Sequence, residues 1–272
     1  MEQTSSFEKD FLWLNIRELP YFRGVLRAVE ARFYQSIELV EPVLDLGCGD
    51  GHFASIAFEK PLTVGLDPWW KPVKEAAERG TYRLTLRGSG STMPFEDESF
   101  ASVVSNSVLE HIPNLMPVLE ETARVLKPGG LFVFCVPNHR FLGSLSIAQF
   151  LDRTGLKGAA KRYRGFFNRI SRHYHCDDFS TWKDRLTRTG FEVLRHWDYF
   201  SPRALSLLEW GHYFGLPSLF SRWLFKRWIL VSQPWNLAIT RSVCKSVYLE
   251  TPQQKEGVYS FYIARKISKP NT

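Results

Sequence analysis

Residues 43–53, VLDLGCGDGHF, preceded by Pro42, decide how this 272-residue chain folds. Pro42-Val43-Leu44-Asp45-Leu46 is a short run without apolar–polar alternation, as expected of a parallel strand buried on both faces. It stops at Gly47-Cys48-Gly49-Asp50-Gly51, where glycines let the backbone turn tightly and admit a ligand that a Cβ would exclude. A helix-like stretch, Phe53 to Phe58, follows. Strand, glycine loop and helix make the first unit of an α/β fold.

The same beat continues outward. Leu62-Thr63-Val64-Gly65-Leu66 reads as a second strand ending at Asp67-Pro68, with a helix predicted from about Pro72 to Arg79. Arg83 to Arg87 and Phe100 to Ser105 are the third and fourth strands, and a helix is expected from about Pro113 to Leu126. Lys127-Pro128-Gly129-Gly130 is a turn signal before a fifth strand, Leu131 to Val136. Ser180 then caps a helix to about Thr189, Gly190 ends it, and Phe191 to Arg195 is a strand. The alternating run Val258 to Ala264 is the last strand. Upstream, residues 7–38 read as one or two amphipathic helices. Phe22, Val25, Leu26, Val29, Phe33 and Ile37 share a face there, and Arg23, Arg27, Glu30 and Arg32 lie on others.

Alternating strands and helices imply a doubly wound, mostly parallel sheet with helical insertions. The chain divides into N-terminal helices (1–40), a cofactor-binding core (41–138), a basic insertion or lid (139–179), a core helix and strand (180–195), an aromatic-rich cap insertion (196–256) and a final strand with its tail (257–272).

Composition narrows the class. Hydrophobic residues make up 44% and charged residues 23%, which excludes wholesale disorder. The N-terminal MEQTSSFEKD lacks a signal peptide's basic region and apolar core. The longest uncharged stretches, Gly211 to Ser221 and Ile229 to Thr240, are too short to span a bilayer. Four cysteines without CxxC spacing argue against disulfides and structural zinc, so the chain reads as reduced and cytoplasmic. The net charge of +7 splits into −6 over residues 1–138 and +13 over residues 139–272, and a basic half suggests an anionic partner.

The glycine loop carries the chemistry. A helix N-terminus after it would offer free N–H groups and a positive dipole. Asp67, 20 residues after Gly47, stands where a carboxylate accepts from ribose hydroxyls, which points to an adenosine-containing cofactor. The loop is GxGxG, and Asp45 precedes it. An anion there would repel a pyrophosphate but suits the ammonium of S-adenosylmethionine, a group that NAD lacks.

VLDLGCGDGHF resembles motif I of the class I S-adenosylmethionine-dependent methyltransferases. MPFEDESFASVVSNSVLEHIPNLMPVLEETARVLKPGGLFVFCVPN resembles the middle of their type-11 group, and HYHCDDFSTWKDRLTRTGFEVL more weakly its late helix and strand. The resemblance implies a Rossmann-like fold with an antiparallel last strand. It implies that Gly47, Cys48, Gly49 and Gly51 pack on the methionine part of the cofactor while Asp45 reaches its amino group. It also places Asp67 on the ribose, Pro68, Trp69 and Met93 by the adenine, and Asn106 near the sulfonium. Where the family often has an acidic residue before the Met93 position, this chain has Ser89-Gly90-Ser91, so other groups must meet the adenine amino group.

Methyl transfer from a sulfonium is an in-line displacement needing chiefly alignment and desolvation, with a base for some acceptors. His111, in Leu109-Glu110-His111-Ile112, is the candidate base, although the same stretch suits a structural helix start. His173 and His175 are candidate substrate contacts. They invite a metal reading, but no second cluster completes a site, so no metal is expected. Arg153 to Arg172 holds seven cations and no acidic residue, with aromatics near helical spacing. It reads as a lid, a grip for an anionic substrate, or a segment lying on an anionic membrane. The run from Trp210 to Ile229 reads as a cap packing on itself, an apolar pocket or an interfacial anchor. The expected function is methylation of a small or lipidic, anionic acceptor. RNA methylation and a non-catalytic S-adenosylmethionine-binding scaffold are the alternatives.

Overall fold

A computed structural model describes residues 9–267. The reading of the extreme N-terminus and of the last five residues lies outside these. Two helices come first, α1 (Phe11–Ile16) and α2 (Tyr21–Tyr34). The first unit is β1 (Val43–Leu46), the glycine loop and α3 (His52–Ala57). Next come β2 (Leu62–Asp67), α4 (Trp70–Arg79), β3 (Tyr82–Arg87) and β4 (Phe100–Asn106). A single 3₁₀ turn, Leu109–His111, leads to α5 (Met116–Val125) and β5 (Leu126–Pro137). The basic segment forms α6 (Ser146–Arg153) and α7 (Lys157–Ser171). After α8 (Phe179–Arg188) and β6 (Phe191–Tyr199), the aromatic segment folds into α9 (Pro202–Phe214), α10 (Leu216–Phe225) and α11 (Ala238–Tyr248), and β7 (Tyr259–Lys266) follows.

The strands form one sheet in the order β3-β2-β1-β4-β5-β7-β6. The first five pair in parallel, and β7 runs antiparallel to both β5 and β6. The strand order reverses between β1 and β4, so their C-terminal ends diverge into a crevice where ligands of doubly wound sheets bind. Both faces are covered: Leu44 and Leu46 enter one core with Val103, Leu119 and Trp182, whereas Val43 enters the other with Val25, Phe33 and Phe261. That is why β1 shows no alternation.

Several boundaries differ from the sequence reading. α4 begins at Trp70, because Pro72 sits in its first turn, where a missing N–H costs nothing. The helix expected from Pro113 starts at Met116, and residues 112–115 link it to the 3₁₀ turn that holds His111. β6 runs on to Tyr199, so residues 196–199 belong to the sheet rather than to the cap. His196, Trp197, Asp198 and Tyr199 pair in register with Tyr262, Phe261, Ser260 and Tyr259, and the Ser260 hydroxyl donates to Asp198 at 2.6 Å. Glu30, read as part of a polar helix face, is buried. It accepts from Arg27 (2.7 Å), Asn106 (2.6 Å), Ser107 (3.0 Å) and Tyr199 (2.9 Å), tying α2 to the end of β4.

The two insertions meet through Glu209 on α9. Its buried carboxylate accepts from the Ser146 N–H and hydroxyl, the Ile147 N–H and the Tyr163 hydroxyl. Among the described residues, no helix is long and apolar enough to cross a membrane.

Candidate active site

The glycine loop hangs from β2. The N–H groups of Gly47 and Cys48 both donate to the Leu66 carbonyl, at 2.8 and 3.1 Å. Gly47 has φ +81°, and a Cβ there would come within 2.4 Å of Val108. Gly49 has φ +55°, but a Cβ there would meet nothing within 4 Å. The loop therefore packs tightly at its first glycine and opens onto empty space at its second. Asp67, at the end of β2, accepts the Gly49 N–H (3.1 Å) on one oxygen and the Trp69 N–H (2.9 Å) on the other. Burial raises its pKa, and those two hydrogen bonds oppose the shift.

Two spaces adjoin the loop. A pocket of about 210 Å³ is lined by Gly47, Cys48, Gly49, Asn106, Ser107 and Val108, with Arg23 and Arg27 of α2 opposite. A cavity of about 740 Å³ extends from it under the helical insertions. Arg23, Arg27, Ser107 and Trp228 line both. The cavity has an apolar wall of Phe22, Leu26, Phe141, Phe166, Ile170, Leu208, Leu219 and Tyr259, and a polar end with Glu110, His111, Arg172, His173 and His212.

Other expected cofactor residues lie around the loop, outside the lining of the small pocket, as Asp67 does. Asp45 is buried beneath the loop, outside the lining of the pocket, where it accepts from the Tyr82 hydroxyl at 2.6 Å. Burial pushes its carboxyl up to about 7 against the pull of that hydrogen bond. Gly51 caps α3 rather than lining the pocket. Trp69 is 71% exposed, and Pro68 is exposed beside it. Met93 is buried in the core below the sheet. Its N–H donates to Glu121 and its carbonyl accepts from Arg124. Ser89 and Ser91 share a hydroxyl hydrogen bond of 2.8 Å. The Asn106 amide reaches the pocket wall but donates to Glu30.

The histidines separate. His111 Nδ1 lies 3.0 Å from the Arg172 carbonyl, which can only accept, so Nδ1 carries the proton and Nε2 presents a lone pair. Desolvation lowers its pKa, keeping it neutral near pH 7. His173 also lines the cavity, its ring centroid 5.3 Å from that of His111, and burial pushes its pKa down to about 3. His175 faces away, with Nε2 2.9 Å from the Ile112 carbonyl and Nδ1 3.6 Å from Asp177. Sequence reasoning missed Arg23 and Arg27, whose i, i+4 spacing resembles a solvated face. It offers only His111 as a base, although Glu110 is 1% exposed and burial pushes its carboxyl up to about 8.

A profile described as a methyltransferase domain matches residues 44–134. A relative from Encephalitozoon cuniculi, named as a methyltransferase, is 30% identical over 207 residues, spanning 72% of this chain and 94% of that protein. Among solved structures, an S-adenosylmethionine-dependent methyltransferase from Thermotoga maritima matches with a TM-score of 0.54 at 15% identity, over 91% of each chain. Geranyl diphosphate C-methyltransferase from Streptomyces coelicolor, solved with S-adenosyl-L-homocysteine, matches at 0.54 and 14% identity, over 91% of this chain and 84% of that one. The chain belongs to the S-adenosylmethionine-dependent methyltransferases. Its methyl donor is S-adenosylmethionine.

Proposed function

We propose that the chain methylates a small amphipathic acceptor, an apolar body with an anionic or polar head, held under the two insertions acting as one cap. The observation that carries this reading is the 740 Å³ cavity, apolar along one wall, polar at one end, and joined to the glycine-loop pocket through Arg23, Arg27, Ser107 and Trp228. Arg23 and Arg172 on its lining have no carboxylate partner among the described residues, so an anionic head would find unpaired charge there. Geranyl diphosphate, acceptor of the Streptomyces fold neighbour, belongs to this chemical class.

The residues present fit the donor. The open space over Gly49 would take its methionine part, and Asp67 would hold the ribose hydroxyls. The bound donor supplies an activated methyl carbon. The chain's own part is to align the acceptor, exclude water beneath the cap and, for a hydroxyl or amine, accept a proton at His111 Nε2.

The exposed side of the cap favours an acceptor drawn from a lipid surface. Phe220, Trp223, Leu224 and Phe225 on α10 are all more than half exposed, with Arg222, Lys226 and Arg227 among them. Leu219 on the same helix lines the cavity. Incubation with tritiated-methyl donor and separate lipid, aqueous-metabolite and RNA fractions tests the proposal: label should enter the lipid fraction. Label confined to RNA would replace it with the nucleic-acid reading. Tight donor binding without transfer to any fraction would replace it with the scaffold reading.

A further inference from the structure

At the polar end of the cavity the fold assembles three groups that lie far apart in sequence. Glu110 and His111 come from the 3₁₀ turn after β4, and His173 from the segment after α7. Arg172 takes φ +55° and ends α7, turning the chain back so that the Tyr174 N–H donates to the Glu110 carbonyl at 2.7 Å. That backbone bond and the contact of His111 Nδ1 with the Arg172 carbonyl lock the two segments together. One ligand-capable atom from each of Glu110, His111 and His173 then lies within 4.8 Å of the others.

One oxygen of the Glu110 carboxyl is left unsatisfied. Glu110 Oε2 is buried without a hydrogen-bond partner among the described residues, and Oε1 is 3.8 Å from His111 Nε2. No lysine or arginine among the described residues forms an ion pair with it. A buried carboxyl of this kind is costly unless a cation or donor completes it.

We propose that Glu110, His111 and His173 form a divalent transition-metal site whose remaining positions face the acceptor cavity. Two imidazoles and one carboxylate suit Zn²⁺, Fe²⁺ or Co²⁺. Ligand atoms around such an ion stand roughly 3.4 Å apart, given metal–ligand bonds of about 2.1 Å, so small side-chain rotations close the cluster. A water or an oxygen of the acceptor would fill the open positions. His111 is then a ligand in the metal-loaded protein and a proton acceptor only without metal. The site does not depend on the proposed acceptor, because metal binding is measured on its own.

The full chain, stripped with a chelator, is titrated with Co²⁺ and followed by its visible absorption, with Zn²⁺ as competitor. One Co²⁺ per chain is expected, displaced by Zn²⁺. Affinity should fall at least a hundredfold in His173→Ala and in Glu110→Gln, and should be kept in His175→Ala, which lies outside the cluster. Calorimetric binding of S-adenosylmethionine, retained in each variant, shows that the variants fold. The proposal is overturned if the parent binds no more Co²⁺ than Glu110→Gln, or if His175→Ala loses it equally. Metal binding without methyl transfer to any lipid fraction would overturn the proposed acceptor and leave the site standing.

Discussion

Gly47 and Gly49 stand two residues apart, and a methyl group on each should fail differently. At Gly47 it would overlap Val108 and meet a left-handed φ, so Gly47→Ala should lose about 2–4 kcal/mol and melt several degrees lower. At Gly49 nothing lies within 4 Å, so Gly49→Ala carries only the strain of its φ, roughly 1–2 kcal/mol. It should instead weaken S-adenosylmethionine binding at least tenfold, because the methyl occupies the space over the loop. Calorimetry and melting on the two variants separate these outcomes; unchanged affinity in Gly49→Ala would remove the loop from the donor site. Asp45 gives a pH prediction. Its folded carboxyl, pushed up to about 7, holds a proton that the unfolded chain releases near pH 4. The folded state therefore binds more protons between those values, and stability falls as pH rises through them, by up to about 4 kcal/mol. Asp45→Asn still accepts from Tyr82 but cannot ionise. Its melting temperature should gain on the parent progressively from about pH 4 to about pH 8. A constant difference across that range would refute the assignment.

At the scale of elements, the cap depends on one carboxylate. Glu209 supplies the acceptors for the first turn of α6, which has no side-chain N-cap, and for Tyr163 on α7. Glu209→Ala leaves the part-buried Ser146 and Ile147 donors unpaired and Tyr163 with Tyr213 alone, a loss of about 2–4 kcal/mol confined to the contact between insertions. Hydrogen exchange should rise through α6 and α7 and stay unchanged in β1, β4 and β5. Uniform protection across both regions would show that the cap is held otherwise. Element reading from sequence succeeded where one local rule acted alone, as in β1 with its two-faced burial or β2 ending at Asp67. It fell short where pairing extended an element, as in β6, whose last four residues are strand because β7 lies beside them.

Across the whole molecule, the charge division remains visible on the surface. Lys157, Lys161 and Arg162 on α7 are exposed and unpaired with any carboxylate among the described residues, whereas Arg164 is tied to Asp152 and to the Leu142 carbonyl. Reversing the first three to Glu should weaken co-sedimentation with anionic vesicles about a hundredfold, taking roughly 1 kcal/mol per basic side chain near such a surface. The parent's binding should decline as salt rises. No parent binding at low salt would withdraw the lipid surface as the source of the acceptor and leave a lid over a water-borne one.

Sequence by itself determined the α/β core, its glycine loop and the methyl donor, because a buried strand, a glycine turn and a terminal carboxylate are encoded within about 25 residues of contiguous chain. It also set off residues 139–179 and 196–256 from that core, although residues 196–199 extend β6 in the sheet. What only the tertiary structure decided is the lining of the large cavity. Arg23 and Arg27 come from the first helices, Glu110 and His111 from a turn after β4, His173 from the end of the first insertion and Trp228 from the second. No spacing rule links such residues, since their proximity is set by how α2 and the cap pack across the sheet. Burial completes the distinction. Glu30 and Glu110 look like surface charges in a helical pattern, and their roles follow from lying where water does not reach.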